Sequence, residues 1–233
     1  MFEPENLNNA SPATVSRAGI IYVADSELGW GPVTTSWLQK RRPAEAALLK
    51  PCFDKLIKPM LDCVRLKCRP ICGGIPWPHI TRDFCSVQTL LTLLEGSLVS
   101  AVAENEVYSE GHYERIFIYC LIWAVGGMLP FEERVVFDAD LRAVTDNVPK
   151  QESEDDTVFE YLVNEDNTSW EHWSGRVPVW DYPVGVENPP FAQLVIPTLD
   201  SVRLEALLQT ISAVSGRTLL VGGPGTALSL IHI

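Results

Sequence analysis

Two short stretches carry residue types that could do chemistry. In NNASPATVSRAGIIYV, residues 8–23, one arginine, Arg17, stands between a Ser/Pro-capped turn and a run of apolar, β-favouring residues. A guanidinium held there would be a fixed positive charge with a planar fork of donors. The plainer alternative is a local salt bridge, the ordinary fate of a single arginine. In GGPGTALS, residues 222–229, glycines follow the apolar stretch 218–221. Strand followed by glycine loop is the layout in which backbone N–H groups turn inward on a phosphate and a lysine reaches the terminal phosphates. Here the lysine position holds Leu228, so the motif taken alone is damaged, and a Gly-Pro turn is the competing reading.

A third set of residues suggests metal chemistry and then fails the spacing test. Cys52, Cys63, Cys68, Cys72, Cys85 and Cys120 are accompanied by His79, but C-x4-C and C-x3-C followed by H-x5-C fit no zinc-finger pattern. Free buried thiols are the expectation, and no metal ligand is assigned. The acidic balance limits partners further. With 30 acidic against 18 basic residues and a net charge of -12, most of the surface would repel a phosphate backbone, which argues against nucleic acid. The amino end has no basic region followed by an apolar core, so the expectation is an intracellular chain without a secretory signal. The longest apolar run, IFIYCLIWAVGGML at 116–129, falls short of the roughly 18–20 residues a bilayer span needs and reads as a buried helix, not a membrane segment.

The elements that must position these residues follow from periodicity. Ser11 or Asn9 can cap a short helix that Pro12 opens and Gly19 closes, and Ile20–Val23 reads as a buried strand. From Val33 the pattern is helical, and Leu48, Leu49, Phe53, Leu56, Ile57, Met60, Leu61 and Val64 recur at helical spacing. Pro43, Pro51 and Pro59 should divide or kink that stretch. GGIPWPH is a turn-rich break, after which FCSVQTLLTLLEGSLVSAV resumes a helical face. A helix is expected over Tyr113–Met128, and Pro130 opens another, whose Phe131, Val135, Phe137, Leu141 and Val144 should pack on it. DNVPKQESEDDT, residues 146–157, is acidic and aperiodic, and the Trp- and Pro-rich stretch after it lacks regular spacing, so 146–190 reads as a linker whose aromatics pin a loop to a core. QLVIPTLD predicts a short strand, SVRLEALLQTISAVSG a helix closed by Gly216, and RTLLVGG a second strand. With 46% hydrophobic residues in a chain of 233, there is enough for a sizeable core, and the fold class is mainly α with a few short strands.

Together these stretches resemble one family. FEPENLNNASPATVSRAGIIYV followed by GWGPVTTSWL is similar to the close of the second AAA+ module of dynein heavy chains. IFIYCLIWAVGGML followed by FEERVVFD resembles the helical extension of that module, and VIPTLDSVRLEALL with RTLLVGGPGTA resembles the start of the third. The resemblance implies a helical small subdomain, or AAA extension, between two partial α/β nucleotide-binding modules. Its divisions are 1–30 for the end of the second module, 31–145 for the helical subdomain, 146–190 for the linker and 191–227 for the start of the next module. It implies that Arg17 is an arginine finger acting in trans on the nucleotide of the preceding module. It implies that Ile196, Pro197 and Thr198 lie against adenine, and that Gly222, Gly223, Gly225, Thr226 and Ala227 cradle phosphates, although Ile196 and Pro197 could equally be core residues. The departures are Ala18, Pro224, Leu228 and Ser229. The final LSLIHI, 228–233, matches one reading frame of a common sequencing adapter, and the expectation is that the natural sequence has Lys at 228 and Thr or Ser at 229.

For the parent protein the resemblance implies an ATP-driven, minus-end-directed microtubule motor of cytoplasm, cytoskeleton and ciliary axoneme. It would use ATP or ADP with Mg2+ and work with the neighbouring AAA+ modules of its own chain, and with microtubules and dynein intermediate and light chains through other regions. WEHWSGRVPVWDYP inclines the assignment to an axonemal chain of outer-arm type. Two rivals remain open: a mechanical coupler without a nucleotide role, which a natural Leu228 would favour, and another giant AAA+ ATPase of the midasin type.

Overall fold

The computed structural model describes residues 7–17, 19, 29–68, 71–72, 75–76, 79–99, 108–164, 168–182, 194, 196–214 and 218. It is mostly helical with short strands, as composition and periodicity lead one to expect. Helix α1 (Pro12–Arg17) begins where predicted: the Ser11 hydroxyl accepts the Thr14 N–H at 3.2 Å, and Pro12 takes the first position, where its missing donor costs nothing. Helices α2 (Gly31–Gln39) and α3 (Pro43–Cys52) meet at a corner where Arg42 is held extended by the proline after it.

Of the prolines expected to divide or kink the stretch, Pro43 does divide it, opening α3, but Pro51 and Pro59 do not interrupt the helix. Helix α3 runs through Pro51 into a π turn, Phe53–Ile57, and on into α4 (Lys58–Lys67). Pro59 has no N–H to give the carbonyl four residues back, and the widened turn just before it absorbs that missing bond without breaking the helix. The predicted apolar stripe is largely the buried one: Leu49, Phe53, Leu56, Ile57, Met60, Leu61 and Val64 are buried, and Leu48 is half-buried at its edge. A two-residue hairpin, β1 (Ile71–Cys72) with β2 (Ile75–Pro76), then occupies the turn-rich break.

Helix α5 (His79–Ser97) and helix α6 (Glu110–Gly126) form the most extensive helix pair. Helix α6 starts three residues before the sequence prediction because Ser109 caps it, accepting the His112 N–H. It also packs on α3 and α4 and is apolar around most of its circumference, the pattern of a central buried helix. Helix α7 (Phe131–Val144) corrects the expected contact face. Phe137 and Leu141 are fully buried, but Phe131 and Val135 are 65% and 56% exposed. At about 100° per residue, Phe131 and Val135 lie some 200–240° around the helix from Phe137 and cannot share its face.

The segment read as a linker is packed over part of its length. Thr157 and Glu160 form a reciprocal capping box around a 3-10 turn, Val158–Glu160, whose Val158 and Phe159 are fully buried. Asp138 Oδ1 of α7 accepts the Val158 N–H at 2.8 Å. Strand β3 (Tyr161–Val163) then pairs antiparallel with β4 (Trp170–His172), and Trp173 is buried in a second 3-10 turn. The segment buries the apolar side chains of Val158, Phe159, Tyr161, Leu162 and Trp173.

Helix α8 (Leu199–Ser212) packs on α5. It ends at Ser212, before the predicted stop at Gly216, which lies outside the described residues together with the predicted strand Ile20–Val23 and residues 219–221 of the predicted strand Thr218–Val221, whose Thr218 is described and is not in a strand. Of the strand predicted in QLVIPTLD and ending at Pro197, residues 194, 196 and 197 are described and are not in a strand. Among the described residues no helix is long and apolar enough to cross a membrane.

Candidate functional site

Arg17 is the last residue of α1, exposed, on a helix that buries none of its residues. Among the described residues it makes no ion pair. Its cationic head stands at the carboxyl end of the helix, where the peptide dipoles favour positive charge. Ile196 is 58% exposed and Pro197 half-buried. Thr198 has a structural task of its own: its hydroxyl accepts the Ser201 N–H at 3.2 Å while Ser201 Oγ accepts the Thr198 N–H at 2.9 Å, capping α8. The hydroxyl is spent on the helix, leaving Ile196 and Pro197 as the part of this segment able to meet a flat apolar ring. Gly222, Gly223, Gly225, Thr226 and Ala227 lie outside the described residues. Arg17 and Ile196–Thr198 share no hydrogen bond or ion pair among the described residues.

What sequence reasoning missed is how the segment 196–198 is supported. Arg203, one turn into α8, is only 8% exposed. Its Nη1 donates to the Phe159 carbonyl at 3.1 Å and to Glu160 Oε1 at 3.4 Å, and its Nη2 donates to Asp200 Oδ1 at 2.6 Å. The guanidinium also lies 6.0 Å from the centre of the Trp123 ring, while Arg134 stacks over Phe159 at 4.8 Å. Burial, with Arg203 nearby, lowers the Arg134 pKa. At the far end of α8, Gly96 of α5 meets Thr210 so closely that a Cβ there would fall 2.3 Å from the Thr210 carbonyl oxygen. Between these two holds opens a cleft of about 620 Å³, bordered by Tyr108, His112, Trp173, Glu205 and Gln209. The only sequence signal for the first hold was an arginine inside an otherwise apolar helical stripe.

A second buried charge cluster fixes the α2–α3 corner. Glu45, 1% exposed, pairs with Arg41 at 3.5 Å and Arg42 at 3.4 Å, and Arg41 also pairs with Glu95 of α5, which accepts the Trp37 indole N–H at 3.0 Å. Burial lowers the Arg41 pKa.

Cys52, Cys63, Cys68 and Cys120 are buried free thiols. Burial pushes Cys52 and Cys120 up to about 12 and raises Cys63, so none is a ready thiolate at neutral pH. Among the described residues no three His, Cys, Asp or Glu side chains gather as a metal site would require.

Comparison with known proteins identifies the frame around these residues. The family described as dynein heavy chain AAA lid domain matches residues 49–175, from the start of the buried stripe to the second 3-10 turn. The dynein gamma chain of the flagellar outer arm of Chlamydomonas reinhardtii is 52% identical over 227 residues, covering 97% of this chain and 5% of that protein. Human dynein axonemal heavy chain 2 is 35% identical over 99% of this chain, again 5% of its own length, and rat dynein axonemal heavy chain 5 is 32% identical over 99%, 6% of its own. The chain thus spans about a twentieth of the curated relatives it matches. A lid match over more than half its residues, and similarity to the heavy chains from one end to the other, establish that the chain belongs to the dynein heavy chain family, with an AAA lid domain at its centre.

Proposed function

We propose that this chain is the part of an axonemal dynein heavy chain that runs from the end of the second AAA+ module (1–30), through its helical lid (31–145) and the segment 146–190, to the start of the third module (191–227). The parent is an ATP-hydrolysing, minus-end-directed microtubule motor of the axoneme. It acts with its neighbouring AAA+ modules and with microtubules and intermediate and light chains bound elsewhere. Arg17 acts in trans on the nucleotide of the preceding module, and Ile196–Thr198 with Gly222–Ala227 form the first half of the next nucleotide site. ATP with Mg2+, when bound, supplies the γ-phosphoryl group that is transferred to water.

The observation that carries this reading is the similarity to axonemal dynein heavy chains along the whole chain. The placement of Arg17 agrees with it: it ends a helix exposed and, among the described residues, makes no ion pair. A guanidinium poised that way is free to meet charge developing across a module boundary. The likeness to an outer-arm gamma chain supports the axonemal assignment.

The test is made in the full heavy chain. Arg17→Ala is expected to slow ATP turnover at the preceding module by roughly 10³-fold or more with little loss of ATP affinity, because the finger's charge matters most at the transition state. Arg17→Lys should restore little, lacking the planar fork. A folded Ala variant with normal turnover would overturn the assignment. The coupler reading has one observation in its favour, Leu228 at the lysine position, and it predicts that outcome.

A further inference from the structure

Arg203 is expensive for a helix that needs only to lie on a bundle. Its neighbours Leu207, Leu208 and Ile211 already hold α8 to the core by apolar packing. A buried guanidinium adds little net stability beyond what an apolar side chain of its size would give, and it is tolerated only where every donor finds a well-placed acceptor. What it adds is register: two nitrogens of a rigid fork fixed on three acceptors at once.

Those acceptors join two sides. On the lid side, the Phe159 carbonyl and Glu160 Oε1 belong to the 3-10 turn, and the other Glu160 oxygen is occupied by the Thr157 N–H at 2.8 Å and hydroxyl at 2.6 Å. Phe159 itself lies against Gly126 and Phe137, and Val158 is tied to Asp138. The lid therefore dictates where the guanidinium sits. On the other side, Asp200 is the second residue of α8 and Thr198 its cap, so the fork fixes the first turn of α8 and the direction from which Ile196 and Pro197 enter it. The cleft lies just beyond, bordered on α8 by Val202, Glu205, Ala206, Gln209 and Thr210.

We propose that Arg203 is a positioning residue that registers the adenine-side segment Ile196–Thr198 on the lid, so that nucleotide bound at that segment and the 3-10 turn at 158–160 are energetically linked. This rests on the nucleotide site described under Proposed function. Linkage is reciprocal: nucleotide that orders the start of α8 must steady the turn, and a loosened turn must weaken nucleotide binding.

The experiment uses the full heavy chain as wild type, Arg203→Lys and Arg203→Met. Occupancy is read by photo-cross-linking of 8-azido-ADP to the peptide containing residues 196–198, and the lid by amide hydrogen exchange in the peptide spanning 157–163. In the wild type, saturating ADP should slow exchange there about fivefold. In Arg203→Met the slowing should fall below twofold while cross-linking at 196–198 persists at higher ADP concentration. Arg203→Lys should lie between, since a single ammonium cannot hold three acceptors in a fixed plane. A merely structural role would speed exchange equally with and without ADP and leave the ratio intact, and an unchanged ratio in Arg203→Met overturns the proposal. If that variant does not fold, Arg203→Lys decides alone: a ratio equal to that of the wild type overturns the proposal, and a smaller one supports it. Absence of cross-linking at 196–198 in the wild type would instead remove the nucleotide site and the linkage with it, whereas cross-linking without ADP-dependent exchange removes only the role of Arg203.

Discussion

The lid and the two ends of the chain are built on different terms. In the lid, α6 alone buries ten of its residues, and the aromatic rings of Phe53 and Phe117 meet edge to face at 4.8 Å in its core. Its geometry is set by its own side chains. Helix α1, by contrast, has six residues and buries none, and a helix that short has little stability of its own in water. Helix α8 stands between the two cases, borrowing its place from α5 and from Arg203. The proposed site residues sit at the ends, not in the lid. This division suits chemistry performed across module boundaries: a residue that must reach another module's nucleotide has to stay exposed, and the rigid part of the chain can only aim it.

If that contrast is right, core and end substitutions should separate cleanly on one measurement. Phe117→Ala removes a fully buried ring from the centre of the lid and is expected to cost about 3–5 kcal/mol in urea denaturation. Arg17→Ala in the same chain should change stability by less than about 0.5 kcal/mol, since nothing described packs on it. Similar losses for the two would erase the distinction. A small loss at Phe117 would mean that the lid also depends on neighbours.

A smaller effect probes the border between lid and α8. A methyl group at Gly126 would stand 2.6 Å from Cζ of Phe159 and 3.3 Å from Phe137, inside a packed cluster with no space to yield. Gly126→Ala should therefore destabilise by roughly 1–2 kcal/mol, the overpacking cost outweighing the better helix propensity of alanine. Gly111→Ala in the first turn of the same helix is the control, since its methyl would meet only the Arg115 head group at 3.4 Å. It should be neutral or stabilising by up to about 1 kcal/mol. Equal behaviour at the two glycines would show that the 3-10 turn is free to move, and would weaken the case for Arg203 as well.

The same division explains what could be read from the residues alone. The stripe from Leu49 to Val64 was legible because the helical period and burial coincide there. The π turn was not, since proline reads as a break and its accommodation depends on the shape of the turn before it. Phe131 and Val135 were misplaced because apolar character was counted without angle. Val158 and Phe159 were hidden in an acidic surrounding that reads as solvated chain. Glu45 and Arg203 were missed for the converse reason: a charge in a sequence reads as surface, and only geometry reveals that partners repay its burial. Arg17 was singled out through its motif and not through its physics, because an exposed arginine on a short helix carries no signal until the sequence around it does.

The smallest expected effect tests whether α6 keeps its buried character where it borders the cleft. His112 is 3% exposed and stacks on Tyr108 with ring centres 4.2 Å apart. Burial first, and then the charge of Arg115, lower its pKa. The unfolded chain, with a histidine pKa of about 6.5, therefore binds a proton at a pH where the folded chain does not. More protons on the unfolded state means that stability rises with pH, so this contribution is full above about pH 6.5 and is lost as the pH falls from there toward the lowered folded value. One proton can give a slope of at most about 1.4 kcal/mol per pH unit. His112→Phe keeps the ring stacked and removes the proton, so urea midpoints measured between pH 7.5 and 5 should fall less steeply in the variant than in the wild type. Parallel curves would mean that His112 is as open to water in the folded chain as in the unfolded one, and that the cleft between α6 and α8 is wetted against it.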